Sequence, residues 1–430
     1  MKSDLHDVSE VVMFSTIKEK IRNLRRKKLH VVSAFPKDER SRLIADSIAV
    51  IVFLLMGIGT VFVFSASVNI GQGIDLKKFY DYPALRQILF FPLACLIMYI
   101  FSCIDFRRYS LEKGWFKNPV VYLLLISIAF LVLILIQRFH PIFDPENGFI
   151  PRKNAHYRWL KIPIGALSIS FQPSELAKWM TVFFIAALCD KFGDEIKLFW
   201  KRFVPVCLVI GLVMGLIIVE DFGTAALISL IAFLMLIMAG VKLWHILPPL
   251  PLAGAAFYFA IVLSPTRINR ITAFLHLDKW PDTINYQPNQ SLIAIGSGGL
   301  LGKGLGRGII KYGHLPEDTT DFIFSIIGEE LGFAGNTAVI LLFIVFVILG
   351  ILVVLRCRDS FGKLLASGII LTIAAQAALN IGVVTVVLPT KGIPLPFVSA
   401  GGTSMLLTAA AVGVLINIAK NSQPKPDKID

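Results

Sequence analysis

This chain is short of charge and of cysteine chemistry. Only 17% of its 430 residues are Asp, Glu, Lys or Arg, too few for the surface of a soluble domain of this length. Its five cysteines (Cys95, Cys103, Cys189, Cys207 and Cys357) include no CxxC pair, which argues against a thiolate metal cage or a disulfide framework. No cleavable signal peptide, internal repeat or separate soluble enzyme domain is expected. Apolar residues are abundant instead, at 56% of the chain, with a mean hydropathy of +0.73. A bilayer-crossing helix needs about 20 predominantly apolar residues. Ten runs approach that: Ser47–Phe64, Ile88–Ile104, Pro119–Gln137, Phe171–Leu188, Phe203–Val219, Phe222–Val241, Leu243–Leu263, Asn336–Leu355, Leu364–Val387 and Gly402–Ile418. The expected fold is an all-α polytopic membrane protein of about ten transmembrane helices. Leu243–Leu263 is the weakest run, because Pro248, Pro249 and Pro251 interrupt it.

The scarce charge is placed unevenly. Residues 1–45 form a basic tail with Lys18, Lys20, Arg22, Arg25, Arg26, Lys27, Lys28, Lys37, Arg40 and Arg42. Arg107, Arg108, Lys113 and Lys117, then Lys191, Lys197, Lys201 and Arg202, then Arg356, Arg358 and Lys363 recur on the same side of the expected topology. The positive-inside rule makes that side cytoplasmic, with both termini on it. Topology and attraction to anionic membrane lipids account for the net charge of +13, so nucleic acid is not an expected partner. Residues 46–419 form the membrane domain, and 420–430 a cytoplasmic tail. Two outward segments are too long for simple connectors: Arg138–Ser170, and 264–321 between spans 7 and 8. Long loops of this kind are commonly functional.

Ionisable groups beside a bilayer need partners or a role. Glu175 and Lys178 share a helix face just after Gln172-Pro173-Ser174, either as a helix-start ion pair or as a polar wall. Glu220 and Asp221 between two apolar runs read best as a solvated turn. The run Gly296-Ser-Gly-Gly-Leu-Leu-Gly302-Lys-Gly-Leu-Gly306-Arg-Gly308 is either a flexible turn or a diphosphate cradle with Lys303 and Arg307. It is not a nucleotide loop: the spacing is off by one, and no Ser or Thr follows Lys303. An outward position also excludes ATP and NAD. Asp321 stands where a polar loop enters an apolar segment, as a chemical carboxylate or as part of an ion-pairing edge, with Asp318 or Thr320 as helix caps. Gln376 and Asn380 share one face of a span. Lys391 sits in the proline-rich loop Leu388–Phe397.

Taken in order, these segments resemble the FtsW/RodA/SpoVE family of polytopic proteins, and the similarity runs from about Asp46 to Ile418. It is carried by Phe64-Ser-Ala-Ser67, Arg86-Gln87, Asn154…Arg158-Trp159, Gln172-Pro-Ser-Glu-Leu-Ala-Lys178 and Asp221-Phe-Gly-Thr-Ala225. Arg270-Ile271…Phe274-Leu275, Tyr286-Gln287…Gln290-Ser291, Ala294–Gly299, Gly302-Lys-Gly-Leu-Gly306 and Leu315-Pro-Glu317 follow. Thr320-Asp-Phe-Ile-Phe324, Gly328-Glu-Glu-Leu-Gly332, Leu388-Pro-Thr-Lys-Gly392 and Leu395-Pro-Phe…Gly401-Gly402 complete the set. The chain departs from the family pattern at Thr319, Glu220, Ala400 and Val387. Its long basic tail and Thr390-Lys391-Gly392 look more like the FtsW division branch than RodA.

The resemblance implies a peptidoglycan glycosyltransferase that polymerises lipid II outside the bacterial cytoplasmic membrane, without a nucleotide. It implies a divalent metal (Mg2+ or Mn2+) and a class B penicillin-binding transpeptidase as partner, beside other division or elongation membrane proteins. It also makes Asp321 the essential acid, as general base or as metal ligand. Arg158, Lys178, Lys303 and Lys391 are then the candidate diphosphate cations, with Glu175 holding Lys178 and with Gln376 and Asn380 as further binding residues. A lipid II transporter and a RodA-type elongation polymerase are the rival readings. A scaffold that only recruits the transpeptidase is a third, under which Asp321 is dispensable.

Overall fold

The computed structural model describes residues 37–67, 82–145, 148–153, 156–164, 167–276, 285–312 and 315–421. Most of the basic tail, the C-terminal Lys425 and Lys428 and part of the second outward loop lie outside the described residues.

Each expected apolar run falls on a helix. In chain order these are α1 (Lys37–Ser67), α2 (Pro83–Cys103), α3 (Pro119–Phe139), α4 (Pro173–Phe192), α5 (Val204–Ile218, entered by a π-helical turn), α6 (Phe222–Met238), α7 (Leu243–Ile246) and α8 (Pro249–Val262). Two amphipathic or mixed helices follow, α9 (Pro265–Leu275) and α10 (Tyr286–Ser297), and then α11 (Ile323–Arg356), α12 (Ser360–Val384) and α13 (Gly402–Asn421). Prolines open α2, α3, α4 and α9 at their first turns, where the missing N–H costs nothing.

Among the described residues eight helical segments, not ten, are long and apolar enough to cross a membrane. The two that fall short do so for physical reasons. Helix α6 has 17 residues. Helix α4 carries Glu175, Lys178, Asp190 and Lys191, yet every residue from Pro173 to Cys189 is buried. It is a helix surrounded by helices, packed by α3, α5, α6, α12 and α13. Protein rather than acyl chains meets Glu175 and Lys178, which is the condition under which such groups are tolerated.

The first outward segment holds structure that hydropathy did not reveal. Two antiparallel hairpins form there, β1 (Arg152–Lys153) with β2 (His156–Tyr157), and β3 (Leu160–Ile164) with β4 (Leu167–Phe171). Tyr157 and Leu160 of the hairpins form a small satellite core with Ile150 and with Ile134 of α3. That core seats the hairpins over α3 and leads β4 directly into α4.

Helix α11 is broken at Gly332, whose φ of 68° lies in the left-handed region. The freed backbone groups are not left bare. Lys303 and Gly304 donate amide hydrogens to the carbonyls of Glu329 and Glu330 (3.0 and 2.9 Å), while Phe333 and Ala334 donate to Gly299 and Leu300 (2.8 and 3.1 Å). A β-carbon on Gly332 would collide with the backbone of Leu300 and Gly302. The glycine-rich run is thus a backbone splint for a discontinuous helix, the arrangement that lets irregular chain survive at membrane depth.

Candidate functional site

Four helices point their N-termini at one place. The starts of α4, α6, α11 and α13 border a cavity of about 550 Å³, through Gln172, Asp221, Phe322 and Gly401–Ser404. Unpaired backbone N–H groups and the helix dipoles make such a convergence attractive to anions.

Asp321 lies in this cavity, half-buried, one residue before the turn into α11. The backbone of residues 319–321 is held from three sides. Asn380 Nδ2 donates to Asp321 O (2.8 Å), Ser399 Oγ to Thr320 O (2.5 Å), and the Ala400 amide to Thr319 O (2.9 Å). The Asp321 carboxylate is treated differently: among the described residues nothing donates a hydrogen bond to it. The Gly392 backbone closes over it instead, so tightly that a β-carbon there would sit 2.8 Å from Oδ2. Lost hydration pushes the Asp321 carboxyl up to about 7. Glu317 and Asp221 add to that rise, and Arg158 and Arg270 oppose it.

Four cations line the same cavity: Arg86, Arg158, Arg270 and Lys391. Arg158 spends one N–H on the carbonyl of Glu220 (Nε, 2.8 Å). Lys391 rests its ammonium 3.6 Å from the centre of the Phe222 ring, a cation–π contact. Burial brings the Lys391 ammonium down to about 8, with Arg267 and Arg270 acting in the same direction and Asp221 against them. Arg267 stands behind them and caps the end of α5, donating to the carbonyls of Ile218 and Val219 (2.8 and 2.9 Å).

Several expected residues prove to be supports. Lys178 is fully buried and bonded to Glu175 (2.9 and 3.0 Å) and to Gln376 Oε1 (2.8 Å). It does not line the cavity, which corrects its expected place at a diphosphate; Glu175 does line it. Gln376 Nε2 holds the carbonyl of Pro394 (2.9 Å), and Asn380 holds those of Asp321 and Ile393 (2.8 and 2.7 Å). Both therefore fix the Lys391 loop and the Asp321 backbone rather than facing a ligand. Neither Asp318 nor Thr320 caps α11, which has no side-chain cap.

The glycine-rich run does cradle anions, but they are the protein's own. Glu329 accepts from Lys303 Nζ (2.7 Å) and from the amides of Ile309 (2.9 Å) and Ile310 (3.2 Å). Glu330 accepts from Lys311 Nζ (2.7 Å), Ser65 Oγ (2.8 Å) and the Gly306 amide (2.9 Å). Lys303 is thus committed to Glu329 and stands outside the cavity.

Glu220 and Asp221 are not a solvated turn, for both are buried. Burial alone would raise the Glu220 carboxyl. Contacts from His156 (3.1 Å) and the Tyr157 amide (3.0 Å), with Arg138 at 3.2 Å, hold it below the usual range. Asp221 caps α6 through Thr224 N (3.2 Å) and also accepts from Thr224 Oγ1 (2.7 Å) and Gln172 Nε2 (3.2 Å). These two acids clamp the β-hairpin segment onto the α5–α6 turn and so aim Arg158. In the sequence Arg270 is only part of a motif, and its spacing carries no sign that it shares a cavity with Asp321.

Comparison with known proteins bears on the whole membrane domain. The FTSW_RODA_SPOVE family, described as "Cell cycle protein", matches residues 46–424. A Geobacter metallireducens protein named "Probable peptidoglycan glycosyltransferase FtsW" is 35% identical over 384 residues, covering 87% of this chain and 96% of that one. The stage V sporulation protein E of Bacillus subtilis is 37% identical over 384 residues, covering 87% and 97%. Among solved structures, Thermus thermophilus rod shape determining protein RodA aligns with a TM-score of 0.59 at 22% identity, covering 88% and 97%. A chain from a study of polymerization and crosslinking by a peptidoglycan synthase complex aligns with a TM-score of 0.64 at 22% identity, covering 87% and 98%. Most of the curated relatives carry the FtsW name, and this chain belongs to the FtsW/RodA/SpoVE family, on the FtsW side of it.

Proposed function

We propose that this protein is a peptidoglycan glycosyltransferase that polymerises lipid II at the outer face of the bacterial inner membrane, in septal wall synthesis. The observation that carries the reading is the Asp321 carboxylate, which has no hydrogen-bond donor among the described residues and lies in a cavity with Arg158, Arg270 and Lys391. A base must be free to accept a proton, and a leaving diphosphate must meet positive charge. The names of the curated relatives support the substrate class.

In the reaction proposed, Asp321 takes the proton of the acceptor sugar's hydroxyl. The oxygen attacks the donor's anomeric carbon, and the carbon–oxygen bond to the diphosphate breaks. The electron pair leaves with the diphosphate, whose charge Arg158, Arg270 and Lys391 balance. An Asp321 carboxyl that titrates near 7 is suited to this, because a base works best with a pKa close to the working pH. Glu175, Lys178 and Gln376 act as a brace for the Lys391 loop.

A divalent metal, Mg2+ or Mn2+, is part of the proposal. Among the described residues no three metal-binding side chains cluster, but such ions often take one carboxylate plus substrate phosphate and water. Asp321 is the residue that would hold such an ion, as the alternative to its role as base, and the ion would then supply further neutralisation of the diphosphate. The reading includes ten membrane crossings, with α4 and α6 added to the eight apolar segments, and cytoplasmic termini. A class B penicillin-binding transpeptidase is the proposed partner.

The test is polymerisation of labelled lipid II by the purified chain with its transpeptidase, wild type against Asp321→Asn. Glycan strands from the first and none from the second support the enzyme. The transporter reading draws on the broken helix α11, since discontinuous helices are common in transporters. Lipid II movement across vesicles that survives Asp321→Asn would favour it.

A further inference from the structure

His156 and Glu220 form a pair that the proposed reaction leaves unused. His156 lies in β2 and Arg158 two residues on, so in extended chain their side chains leave on one side and that of Tyr157 on the other. Tyr157 accordingly enters the satellite core, while His156 and Arg158 border the cavity of Asp321. A second cavity, of about 300 Å³, adjoins the first, and His156, Arg158, Arg270 and Lys391 border both. Glu220 Oε2 meets the imidazole at Nδ1 (3.1 Å). Because the Glu220 carboxyl is held below the usual range, it only accepts, and Nδ1 must carry the hydrogen. The ring's other nitrogen, Nε2, has no partner among the described residues, and the side chain is 29% exposed. Clamping the hairpin does not require this ring: the Tyr157 amide and Arg158 Nε already bind Glu220 (3.0 and 2.8 Å). Glu220 is also a position at which the chain departs from the family pattern, so the resemblance does not supply the pair.

We propose that His156 is a further ligand of the substrate's diphosphate, meeting it through Nε2–H as an imidazolium, and that Glu220 is the positioning residue that aims the ring. This rests on the glycosyl-transfer reading of Asp321. The hydrogen bond at one imidazole nitrogen decides the state of the other, and here it turns Nε2 away from Glu220. An ionised phosphate oxygen only accepts, so the ring binds it with both nitrogens protonated. Charge decides when that happens. Glu220 and Asp221 favour a positive ring, as do Glu175, Glu317 and Asp321 across the first cavity. Arg86, Arg138, Arg158, Arg267, Arg270 and Lys391 oppose it. An arriving diphosphate adds negative charge and tips the balance, so binding takes up a proton. The contact strengthens as the reaction proceeds. The diphosphate is esterified at both ends before the sugar leaves it and at one end afterwards, so it gains charge in front of the imidazolium.

The experiment uses the full chain in phosphatidylcholine nanodiscs, with lipid II as the probe and Asp321→Asn as the background. That background binds without turnover and removes the carboxyl that titrates near 7. The lipid II diphosphate, esterified at both ends, does not titrate near neutral pH. Affinity should fall about tenfold between about pH 5.5 and 8, the range in which an imidazole loses its proton. Adding His156→Gln should lower affinity at the acid end and leave about a twofold change across the range, which belongs to Lys391. Glu220→Gln keeps an acceptor for the Tyr157 amide but loses the charge. It should weaken binding at the acid end and move the midpoint to lower pH, which a merely structural role would not do. Nitrogen NMR of isotope-labelled histidine should show one Nε2 gaining a proton when lipid II is added near neutral pH. That arm leaves His156 in place, so a misfolded variant does not leave the question open. An equal pH slope with and without His156, or no histidine protonated by lipid II, would overturn the proposal. If Asp321→Asn still polymerises, the catalytic reading fails and the binding slope alone decides the role of His156. If it is inactive and His156→Gln leaves the slope unchanged, the failure belongs to this inference.

Discussion

Two sets of carboxylates lie within ten residues of one another at the head of α11, and they live in opposite conditions. Glu329 and Glu330 are fully buried, and each is met by a lysine and by backbone amides of the glycine-rich run. Asp321 faces a cavity with no donor among the described residues. The difference separates structure from chemistry. A buried acid whose lone pairs are all satisfied holds a fold together, and it has nothing left to give a substrate. An acid kept bare and short of water is costly to the fold and available for a reaction.

That contrast can be broken or sharpened by experiment. Asp321→Asn should show the largest functional effect, a fall in polymerisation of about 10²–10⁴-fold, the range for losing a general base. Its stability should move the other way. The native carboxyl holds a proton up to about pH 7, whereas an ordinary aspartate releases it near 3.8. Between those values the folded state binds the extra proton, so this group's contribution to stability falls as pH rises. Asp321→Asn should therefore melt higher than wild type at alkaline pH, and the gap should shrink in acid. Glu330→Gln should do the reverse. Leaving Lys311 buried without its partner costs about 3–5 kcal/mol, read as lost melting temperature and poor yield, and joint replacement of Lys311 by Met should recover part of it.

Gly392→Ala comes next. Its methyl group would sit 2.8 Å from the Asp321 carboxylate, so activity should drop about tenfold with little change in melting. The smallest effect is in pH dependence. Activity should rise as Asp321 deprotonates near 7 and fall as Lys391 loses its proton near 8. Lys391→Arg keeps the charge and should extend the alkaline limb of the initial-rate profile upward, within a few-fold of wild-type rates.

Much of the fold was legible because hydropathy is a local property. All ten apolar runs mark helices, and the family motifs locate Asp321, Arg158, Glu175 and Lys391, which do line the cavity. Pairing was not legible. Glu220 and Asp221 look like a solvated turn because their partners Arg138, His156 and Gln172 lie far away in sequence. Lys303 looks free because its partner Glu329 is 26 residues on. The two hairpins of the first outward segment leave no mark in the sequence, since strands of two to five residues offer little alternation to detect.

From the sequence alone followed a membrane protein, the positions of its helices and the one acid to test. Apolar runs and ordered motifs survive as linear patterns. Only the tertiary structure decided which charges are neutralised and which are left for chemistry. Hydrogen bonding is settled by proximity in space, and here it joins Ser65 to Glu330 across 265 residues of chain.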